Sequence, residues 1–442
     1  MQHFSIFILC AVAALAGGAS GTAAALAAGA AAAAAAPAFG HALRADFFYP
    51  ANFTQLNHGA YGGTPRPVVA AQYAAVARME ADLDNFMNGA SGYRACIDWA
   101  RAHLSALINA PTDDCVLVDN ASEGVNDILR NLEPPLSADE YILDLSVEYA
   151  PFVGLYGWLG ERLGVQTLTV PIAWPVTGVQ SFLAPLQAVL AANASSLSIR
   201  VAVLPLISAY PAVTLPVREL VAALHARGIP VILDGAHALG NIAVDLPALG
   251  DVDYAFFNMH KWFFASKSSA LLYVRRDHQL AHVPAPAVVD SLETQNFSDR
   301  FVWTGTRDRT AYCAIQAAAD YRASIGGEAA ILAYNQALAL FAKRHLEAAW
   351  GVQPMAPDEM MSSLAIVRLP THNVTECGAI RGALISEYGL GVSGWTALPE
   401  FECYLRISAQ VYLEQSDIVR LGEAVLAIIA RLRGQQQARR AV

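Results

Sequence analysis

The sequence predicts an α/β fold in which a large domain with a mostly parallel seven-stranded sheet precedes a smaller α+β C-terminal domain. Short apolar runs alternate with segments of helical periodicity up to about residue 310, which is typical of strands joined by helices. Longer helical segments replace this alternation in the last third of the chain. The length of 442 residues, 55% of them hydrophobic, allows a large core and more than one domain.

Each element follows from its local pattern. In residues 215–228, four apolar side chains share one helical face and Gly228 can end the helix. The predicted strands of the large sheet are residues 115–118, 141–145, 167–170, 201–206, 231–233, 254–257 and 270–274. After residue 310 we expect helices over residues 310–325, 328–350 and 416–433, and strands over residues 363–369 and 403–409.

The chain is expected to divide into a leader over residues 1–40, a large domain with an N-terminal arm over residues 41–310, and a small domain over residues 311–442. Residues 1–43 contain no Asp, Glu, Lys or Arg. The apolar run at residues 6–16 has the length of a signal-peptide core rather than of a membrane span. We expect localisation to the secretory pathway, the extracellular space or an organelle, and no membrane association of the mature form. A low-complexity spacer is the alternative.

Charge and cysteine content narrow the possible partners. A formal net charge of −10 leaves no basic surface for phosphate backbones, so nucleic acid is not an expected partner, and the basic residues 431–440 are interpreted as an exposed helix end. Apart from Cys10 in the leader, five cysteines remain and none forms a CxxC pair, so neither a metal site nor a disulfide framework is expected. Glycosylation sequons begin at Asn52, Asn120, Asn193, Asn296 and Asn373.

Three strand ends carry polar groups, and α/β sheets bind ligands at the carboxyl ends of their strands. Residues 120–124 lead into an amphipathic helix whose free N–H groups could hold a phosphate, although Ser122 could simply cap the helix. Asp234 could be only a turn-forming residue, and His237 only a partly buried histidine. Lys261 lies between FFNMH and WFF, where burial lowers the pKa of an amine toward the neutral form that Schiff-base chemistry needs.

A buried acid, a buried lysine and a phosphate cradle together are what pyridoxal 5′-phosphate requires. The pyridine nitrogen must stay protonated to act as an electron sink, and the aldehyde must be held as an imine by a lysine. Asp234 and Lys261 would take these two roles. The sequence therefore predicts this cofactor and a small amino-acid substrate.

Several stretches in order resemble the class V aminotransferase family, nearest to its isopenicillin N epimerase-like, cysteine desulfurase-like and ergothioneine-pathway C–S lyase branches. The resemblance runs from residue 56 to about residue 425. It implies the fold type I architecture of pyridoxal phosphate enzymes, normally a homodimer. The stretches are LNHGAYGGTP (56–65), NASEGVN (120–126), LPVRELVAALHARGIPVILDGAHALG (215–240), NMHKWFFASKSSALLYVRRD (258–277), WTGTRD (303–308) and YLRIS (404–408).

The resemblance implies a role for each matching cofactor residue. Lys261 resembles the Schiff-base lysine, Asp234 the pyridinium partner, and His237 the side chain that hydrogen-bonds the phenolic oxygen of the cofactor. Tyr149 falls where the family stacks an aromatic ring on the cofactor. Thr306 matches a threonine that reaches the phosphate from the neighbouring subunit. The remaining phosphate ligands would be Ala121, Ser122, Asn258 and His260.

The resemblance also implies a substrate site. Arg406 resembles the arginine that binds the substrate carboxylate, a task suited to a planar bidentate donor. Without the other motifs it would be interpreted as a surface arginine at a strand end. Asn57 and His58, in the LNHG motif, are further candidates for substrate contacts.

Three departures from the family pattern bear on the substrate. Pro205-Leu206 replaces an Asp-His pair of the epimerase-like members, and Ser268 replaces a common glycine. Desulfurases carry a cysteine on a mobile loop, but residues 389–402 contain none, and Cys403 is expected to be a strand residue. A persulfide-forming desulfurase is therefore disfavoured.

The reaction that follows removal of the α-proton by Lys261 is left open by these residues. Similarity to the sulfoxide C–S lyases makes β-elimination from a cysteine-derived substrate the leading prediction. An epimerase or racemase, with a second acid/base from Tyr61, His58 or Tyr210, and an aminotransferase are the alternatives. A non-catalytic dimer acting as a binding protein is a fourth, against which the intact lysine, aspartate and arginine argue.

Overall fold

A twisted sheet of seven strands forms the centre of the computed structural model, which describes residues 39–193, 196–281, 296–395 and 403–440. Each of the seven strands overlaps a predicted one. The strands of the chain are β1 (Thr54–Gln55), β2 (Cys115–Val118), β3 (Glu140–Leu145), β4 (Gln166–Val170), β5 (Ser198–Pro205), β6 (Val231–Asp234), β7 (Tyr254–Asn258), β8 (Ala270–Val274), β9 (Leu364–Arg368), β10 (Leu390–Gly391), β11 (Ser393–Trp395) and β12 (Tyr404–Ser408).

Helices cover the sheet and continue into the C-terminal part. The predicted helix over residues 310–325 is two helices that meet at Ala314. The helices are α1 (His58–Tyr61), α2 (Arg66–Ala81), α3 (Leu83–Asn88), α4 (Tyr93–Leu107), α5 (Ala121–Leu129), α6 (Ala150–Leu163), α7 (Gln180–Ala192), α8 (Val217–His225), α9 (Met259–Trp262), α10 (Arg276–Ala281), α11 (Thr310–Cys313), α12 (Ile315–Ser324), α13 (Gly327–Trp350), α14 (Val374–Ser386) and α15 (Gln415–Arg440).

The strand order of the large sheet is β2–β8–β7–β6–β5–β3–β4. Strand β8 is antiparallel to β2 and β7, and the other four pairs are parallel. Strands β2, β5, β6 and β7 therefore point the same way and bring their carboxyl ends to one edge. Every residue of β6 and β7 is buried, as expected for strands covered on both faces. The predicted mostly parallel seven-stranded sheet is confirmed.

The C-terminal part has its own three-stranded antiparallel sheet, in the order β11–β12–β9. Helices α13, α14 and α15 accompany it, so this part is α+β as expected. The parallel pair β1 and β10 ties the N-terminal arm to the C-terminal part. The boundary between residues 310 and 311 remains a prediction. The end of α15 is exposed over residues 433–438, in agreement with the interpretation of its basic residues.

The expectation about cysteines was wrong, because the structure contains two disulfides, Cys96–Cys313 and Cys377–Cys403. Their partners are 217 and 26 residues apart in sequence, so only the folded chain brings them together. The odd cysteine that argued against pairing is Cys115, a buried free thiol in β2. Cys403 directly precedes β12 rather than lying in it. No helix within the described ranges is both long and apolar enough to cross a membrane.

Candidate active site

Lys261 lies in the single turn α9, directly after the end of β7. Two glycines with positive φ angles, 71° at Gly62 and 82° at Gly240, pack against this turn. A Cβ atom at either glycine would overlap backbone atoms of the lysine turn. The backbone that carries Lys261 is therefore held closely from both sides.

The side chain of Lys261 lines a cavity of about 330 Å³ at the carboxyl edge of the sheet. The residue is half-buried, whereas the phenylalanines on either side of it are fully buried. Burial lowers the pKa of the lysine amine to about 8, while Asp234 opposes this shift and Arg406 adds to it. A neutral amine is thus accessible near physiological pH.

Asp234 ends β6 on the cavity and is only 6% exposed. Its Oδ1 accepts a hydrogen bond of 2.8 Å from the N–H of Ala236, so the turn-forming interpretation is also correct. Burial raises the pKa of Asp234 to about 6, and both the Ala236 N–H and Lys261 limit this rise. The carboxyl is therefore ionised above about pH 6.

A second acid, the half-buried Glu148, has its Oε2 atom buried with no partner in the described part of the chain. Its other oxygen accepts the N–H of Tyr149 at 2.7 Å. Burial raises the pKa of Glu148 well above its usual value, and the charge of Asp234 raises it further. Asp234 therefore carries the charge of this pair. Nothing in the sequence pattern singles out Glu148.

His237 lies in the turn after β6, and its Nε2 is 3.1 Å from Nζ of Lys261. Its other ring nitrogen, Nδ1, accepts a hydrogen bond of 3.3 Å from the indole N–H of Trp262. Burial lowers the pKa of His237 well below its usual value, and the charges of Lys261 and Arg406 add to this effect. The imidazole is therefore neutral.

The start of helix α5 forms one end of the cavity. Asn120 caps this helix, accepting the N–H of Glu123 at 2.9 Å, so the alternative that Ser122 is the cap is wrong. The N–H of Ala121 donates to Oδ1 of Asn258 at 2.9 Å. Ala121, Ser122, Asn258 and His260 all line the cavity.

This end of the cavity fits a phosphate group. Nδ1 of His260 is buried and has no partner among the described residues, so a phosphate oxygen would supply one. Burial lowers the pKa of His260 to about 4, which keeps it neutral. The helix start adds its positive dipole end and the hydroxyl of Ser122. Lys267, which the sequence did not single out, adds a cation to the lining.

Tyr149 precedes helix α6 and lines the cavity with 39% of its surface exposed. Its ring meets the ring of Phe152 edge to face, with centroids 5.4 Å apart. An aromatic side chain therefore lies at the cavity wall, and its stacking on the cofactor remains a prediction. Tyr61 also lines this wall and is 79% exposed.

Arg406 is 1% exposed in the middle of β12, so the surface interpretation of this residue is wrong. Its guanidinium lies 4.2 Å from the centroid of the Tyr210 ring. It donates to the carbonyl of Ala209 at 3.0 Å and to Oδ1 of Asn57 at 3.1 Å. Of these residues only Ala209 lines the cavity, so Arg406 and Asn57 lie directly behind that wall.

His58 lies outside the cavity, which does not support the predicted substrate contact or a role as acid/base. The side chain is fully buried. Its Nδ1 is 2.9 Å from the hydroxyl of Tyr412 and its Nε2 is 2.8 Å from the carbonyl oxygen of Lys261. Burial lowers the pKa of His58 to about 3. This histidine contacts the backbone of the catalytic turn instead.

Thr306 is exposed on the loop before α11 and does not line the cavity of its own chain. The next residue, Arg307, forms ion pairs with Asp119 at 3.4 Å and with Glu123 at 3.3 Å. These pairs tie the loop to the start of α5. A contact of Thr306 with a neighbouring subunit remains a prediction.

A lysine, an acid and a phosphate-binding helix start in one cavity at the strand ends define a lysine-dependent α/β enzyme of the pyridoxal phosphate type. The chain belongs to the class V aminotransferase family, since the model of that family, Aminotransferase class-V, matches residues 62–421. The predicted family, the enzyme class and the cofactor are thereby confirmed.

Known proteins of similar sequence and structure agree with this assignment. A putative L-cysteine desulfhydrase 1 of Oryza sativa subsp. japonica is 28% identical over 88% of this chain and 86% of that protein. A hercynylcysteine sulfoxide lyase of Schizosaccharomyces pombe is 23% identical over 88% of this chain and 97% of that protein. The apo structure of a cysteine desulfurase from Thermococcus onnurineus NA1 superposes with a TM-score of 0.73 at 17% identity, over 89% of this chain and 98% of that one, which confirms the fold.

Proposed function

We propose that this protein is a pyridoxal phosphate-dependent C–S lyase that performs β-elimination on a cysteine-derived amino acid. The observation that carries the proposal is the cavity in which Lys261, with its amine pKa lowered to about 8, shares the carboxyl edge of the sheet with Asp234. The names of the relatives, a cysteine desulfhydrase and a sulfoxide lyase, support the substrate class. The proposal agrees with the leading prediction from the sequence.

The cofactor, when bound, supplies an electron sink for the bond cleaved at the α-carbon. Asp234 would hold a proton on the pyridine nitrogen, because its carboxylate is buried and ionised. The start of α5 and His260 would bind the phosphate. Tyr149 would cover a face of the ring. Arg406, held by Asn57 behind the Ala209 wall, would attract the substrate carboxylate through its positive charge.

Lys261 moves the proton in the committed step. Once the substrate amine has taken its place, the neutral Nζ removes the α-proton of the substrate. The Cβ–S bond then breaks, the sulfur leaves with the bonding electron pair and takes up a proton, and water converts the remaining carbon skeleton to pyruvate and ammonium. One substrate and one water thus give one thiol, one pyruvate and one ammonium.

The cysteines disfavour the desulfurase reaction, in which a protein thiol accepts the sulfur. Residues 389–402 contain no cysteine, and Cys403 is paired with Cys377. Cys115, the free cysteine of the described residues, is buried in β2, and burial raises the pKa of its thiol. Sulfur therefore leaves on a small molecule rather than on the protein.

Oxidising surroundings and a homodimer belong to the same proposal. Two disulfides are typical of secreted proteins and support the secretory localisation predicted from residues 1–40. The exposed position of Thr306 leaves it available to the phosphate site of a second subunit. Glycans on Asn52, Asn193 or Asn373 of the secreted protein would support this localisation. A glycan on Asn120, which lines the cavity, would contradict the site.

The test is a cofactor titration followed by product analysis. Purified protein lacking residues 1–40 should gain a visible absorbance band with added pyridoxal phosphate and then release pyruvate from L-cysteine or its S-conjugates. Protein that remains colourless would refute the cofactor assignment. A bound cofactor with inverted or transaminated products and no pyruvate would refute the lyase and favour the epimerase or the aminotransferase.

A further inference from the structure

Trp262, the residue after Lys261, contacts the active-site residue His237 from the protein interior and not from the cavity. Its indole is fully buried and lines no part of the cavity, yet its N–H points at Nδ1 of His237 at 3.3 Å. The opposite ring nitrogen of His237, Nε2, is 3.1 Å from Nζ of Lys261. Three consecutive polar atoms thus connect the protein interior to the catalytic amine.

The indole N–H of Trp262 determines the direction of both hydrogen bonds, Trp262 to His237 and His237 to Lys261. An indole nitrogen can only donate, so Nδ1 of His237 must accept and carries no proton. The neutral imidazole therefore has its proton on Nε2. That proton points at Nζ of Lys261, which can accept it only with the lone pair of a neutral amine. The ammonium form would set two donors against each other.

We propose that Trp262 is a positioning residue that fixes the Nε2–H tautomer of His237 and, through it, keeps Lys261 in the neutral form that attacks the cofactor aldehyde. In this arrangement the indole determines which nitrogen of His237 carries the proton, and thereby the protonation of Lys261, without touching substrate or cofactor. Once Lys261 has reacted, the same Nε2–H would be free to donate to the phenolic oxygen of the cofactor.

The groups around the relay formed by Trp262, His237 and Lys261 agree with these protonation states. The charged groups that face Lys261 are Asp234, which favours the ammonium form, and Arg406, which opposes it. His260 and His58 are neutral because burial lowers their pKa values to about 4 and about 3. The attraction of Asp234 for the ammonium is thus the force that the donor from His237 has to counter.

The chain offers a matched control for removing the indole N–H. Trp350 is also buried, and its N–H donates to the carbonyl oxygen of Gly422 at 3.2 Å in the C-terminal part, outside the cavity lining. Trp262→Phe and Trp350→Phe each delete one buried N–H and keep an aromatic ring. Only the first should change the protonation of His237 and Lys261.

The first test does not need the cofactor. Nitrogen-15 spectra of the histidine rings distinguish the two neutral tautomers, and His237→Gln identifies the signal among the eleven histidines. We expect the Nε2–H tautomer in the wild-type protein and in Trp350→Phe, and a mixture of tautomers in Trp262→Phe. A wild-type His237 protonated on Nδ1 would overturn the proposal.

The second test measures the rate of cofactor uptake against pH by the growth of the visible absorbance. Without the indole donor, Nε2 of His237 can accept from the ammonium form, so the pKa of Lys261 rises and the uptake profile moves to higher pH. At neutral pH we expect roughly 5-fold slower uptake in Trp262→Phe, the effect of about one hydrogen bond. A profile that coincides with that of Trp350→Phe would overturn the proposal.

The role of Trp262 rests only on the reaction of Lys261 with pyridoxal phosphate. Both tests are therefore independent of whether the enzyme is a lyase.

Discussion

The two sides of the active site are built differently. The cofactor side comes from the ends of β2, β7 and β6, which lie together with β8 in one half of the large sheet, and its polar groups follow those strands within a few residues. The substrate side joins Asn57, Ala209 and Arg406, which come from the N-terminal arm, a loop after β5 and the C-terminal sheet. An intact large sheet is therefore enough to position the cofactor side, whereas the substrate side depends on how three separate segments of the chain pack together.

This difference predicts that changes on the cofactor side abolish the chemistry and that changes on the substrate side alter affinity. Lys261→Ala should have the largest effect, because it removes both the imine nitrogen and the base. We expect loss of the visible cofactor band and a fall in kcat of more than about 10³-fold. Lys261→Arg should fail equally, although it keeps a cation. Substantial turnover by either variant would mean that another group is the base.

Asp234→Asn should have the next largest effect. An amide cannot hold the pyridine proton as a carboxylate does, so we expect kcat to fall by about 10²-fold or more. The wild-type affinity for the cofactor should also decline as the pH falls through about 6, because Asp234 then takes up a proton. Asp234→Asn should lack this decline, which fluorescence titration would reveal.

The control for that experiment is Asp253→Asn. Asp253 is also a buried acid, 3% exposed, but its partners are His225, Arg275 and His278, outside the cavity. It should lower the midpoint of thermal unfolding and leave kcat nearly unchanged. If both aspartate variants lost kcat alike, burial of a carboxyl and not its position would explain the effect.

The substrate side should respond through KM. Arg406→Lys keeps the charge but loses the planar donor pair and the contact with the Tyr210 ring, so we expect KM to rise by about 10- to 100-fold with a smaller change in kcat. Arg309, a second buried arginine beside a tyrosine ring, is the control, since Arg309→Lys should leave KM unchanged. An unchanged KM in Arg406→Lys would remove Arg406 from the substrate site.

The disulfides give the smallest expected effect on catalysis. Replacing either pair by alanines should lower the free energy of unfolding by about 2–5 kcal/mol, more for Cys96–Cys313 because its partners are farther apart in sequence. Cys403 directly precedes the strand of Arg406, so only loss of Cys377–Cys403 should also raise KM. Denaturant unfolding and steady-state kinetics on both double variants would check this.

The contrast between the cofactor side and the substrate side also explains which features could be predicted from the sequence. The strands and the cofactor residues were predictable because apolar runs mark the strands and polar groups at their ends share one edge. Glu148 and Trp262 could not be singled out, since an acid in a turn and a tryptophan in an apolar run are ordinary until their contacts are known. The contacts of His58 and the disulfides could not be predicted, because their partners are 354, 203 and 217 residues away in sequence.

Running the reaction in deuterium oxide with L-cysteine and its S-conjugates distinguishes β-elimination through Lys261 from the alternative reactions. β-Elimination should give equal amounts of thiol or sulfide and pyruvate, with deuterium in the pyruvate methyl group, and Lys261→Arg should give neither product. Recovery of the substrate with deuterium at the α-carbon and no pyruvate would refute β-elimination, because the proton would then be removed and returned without loss of sulfur.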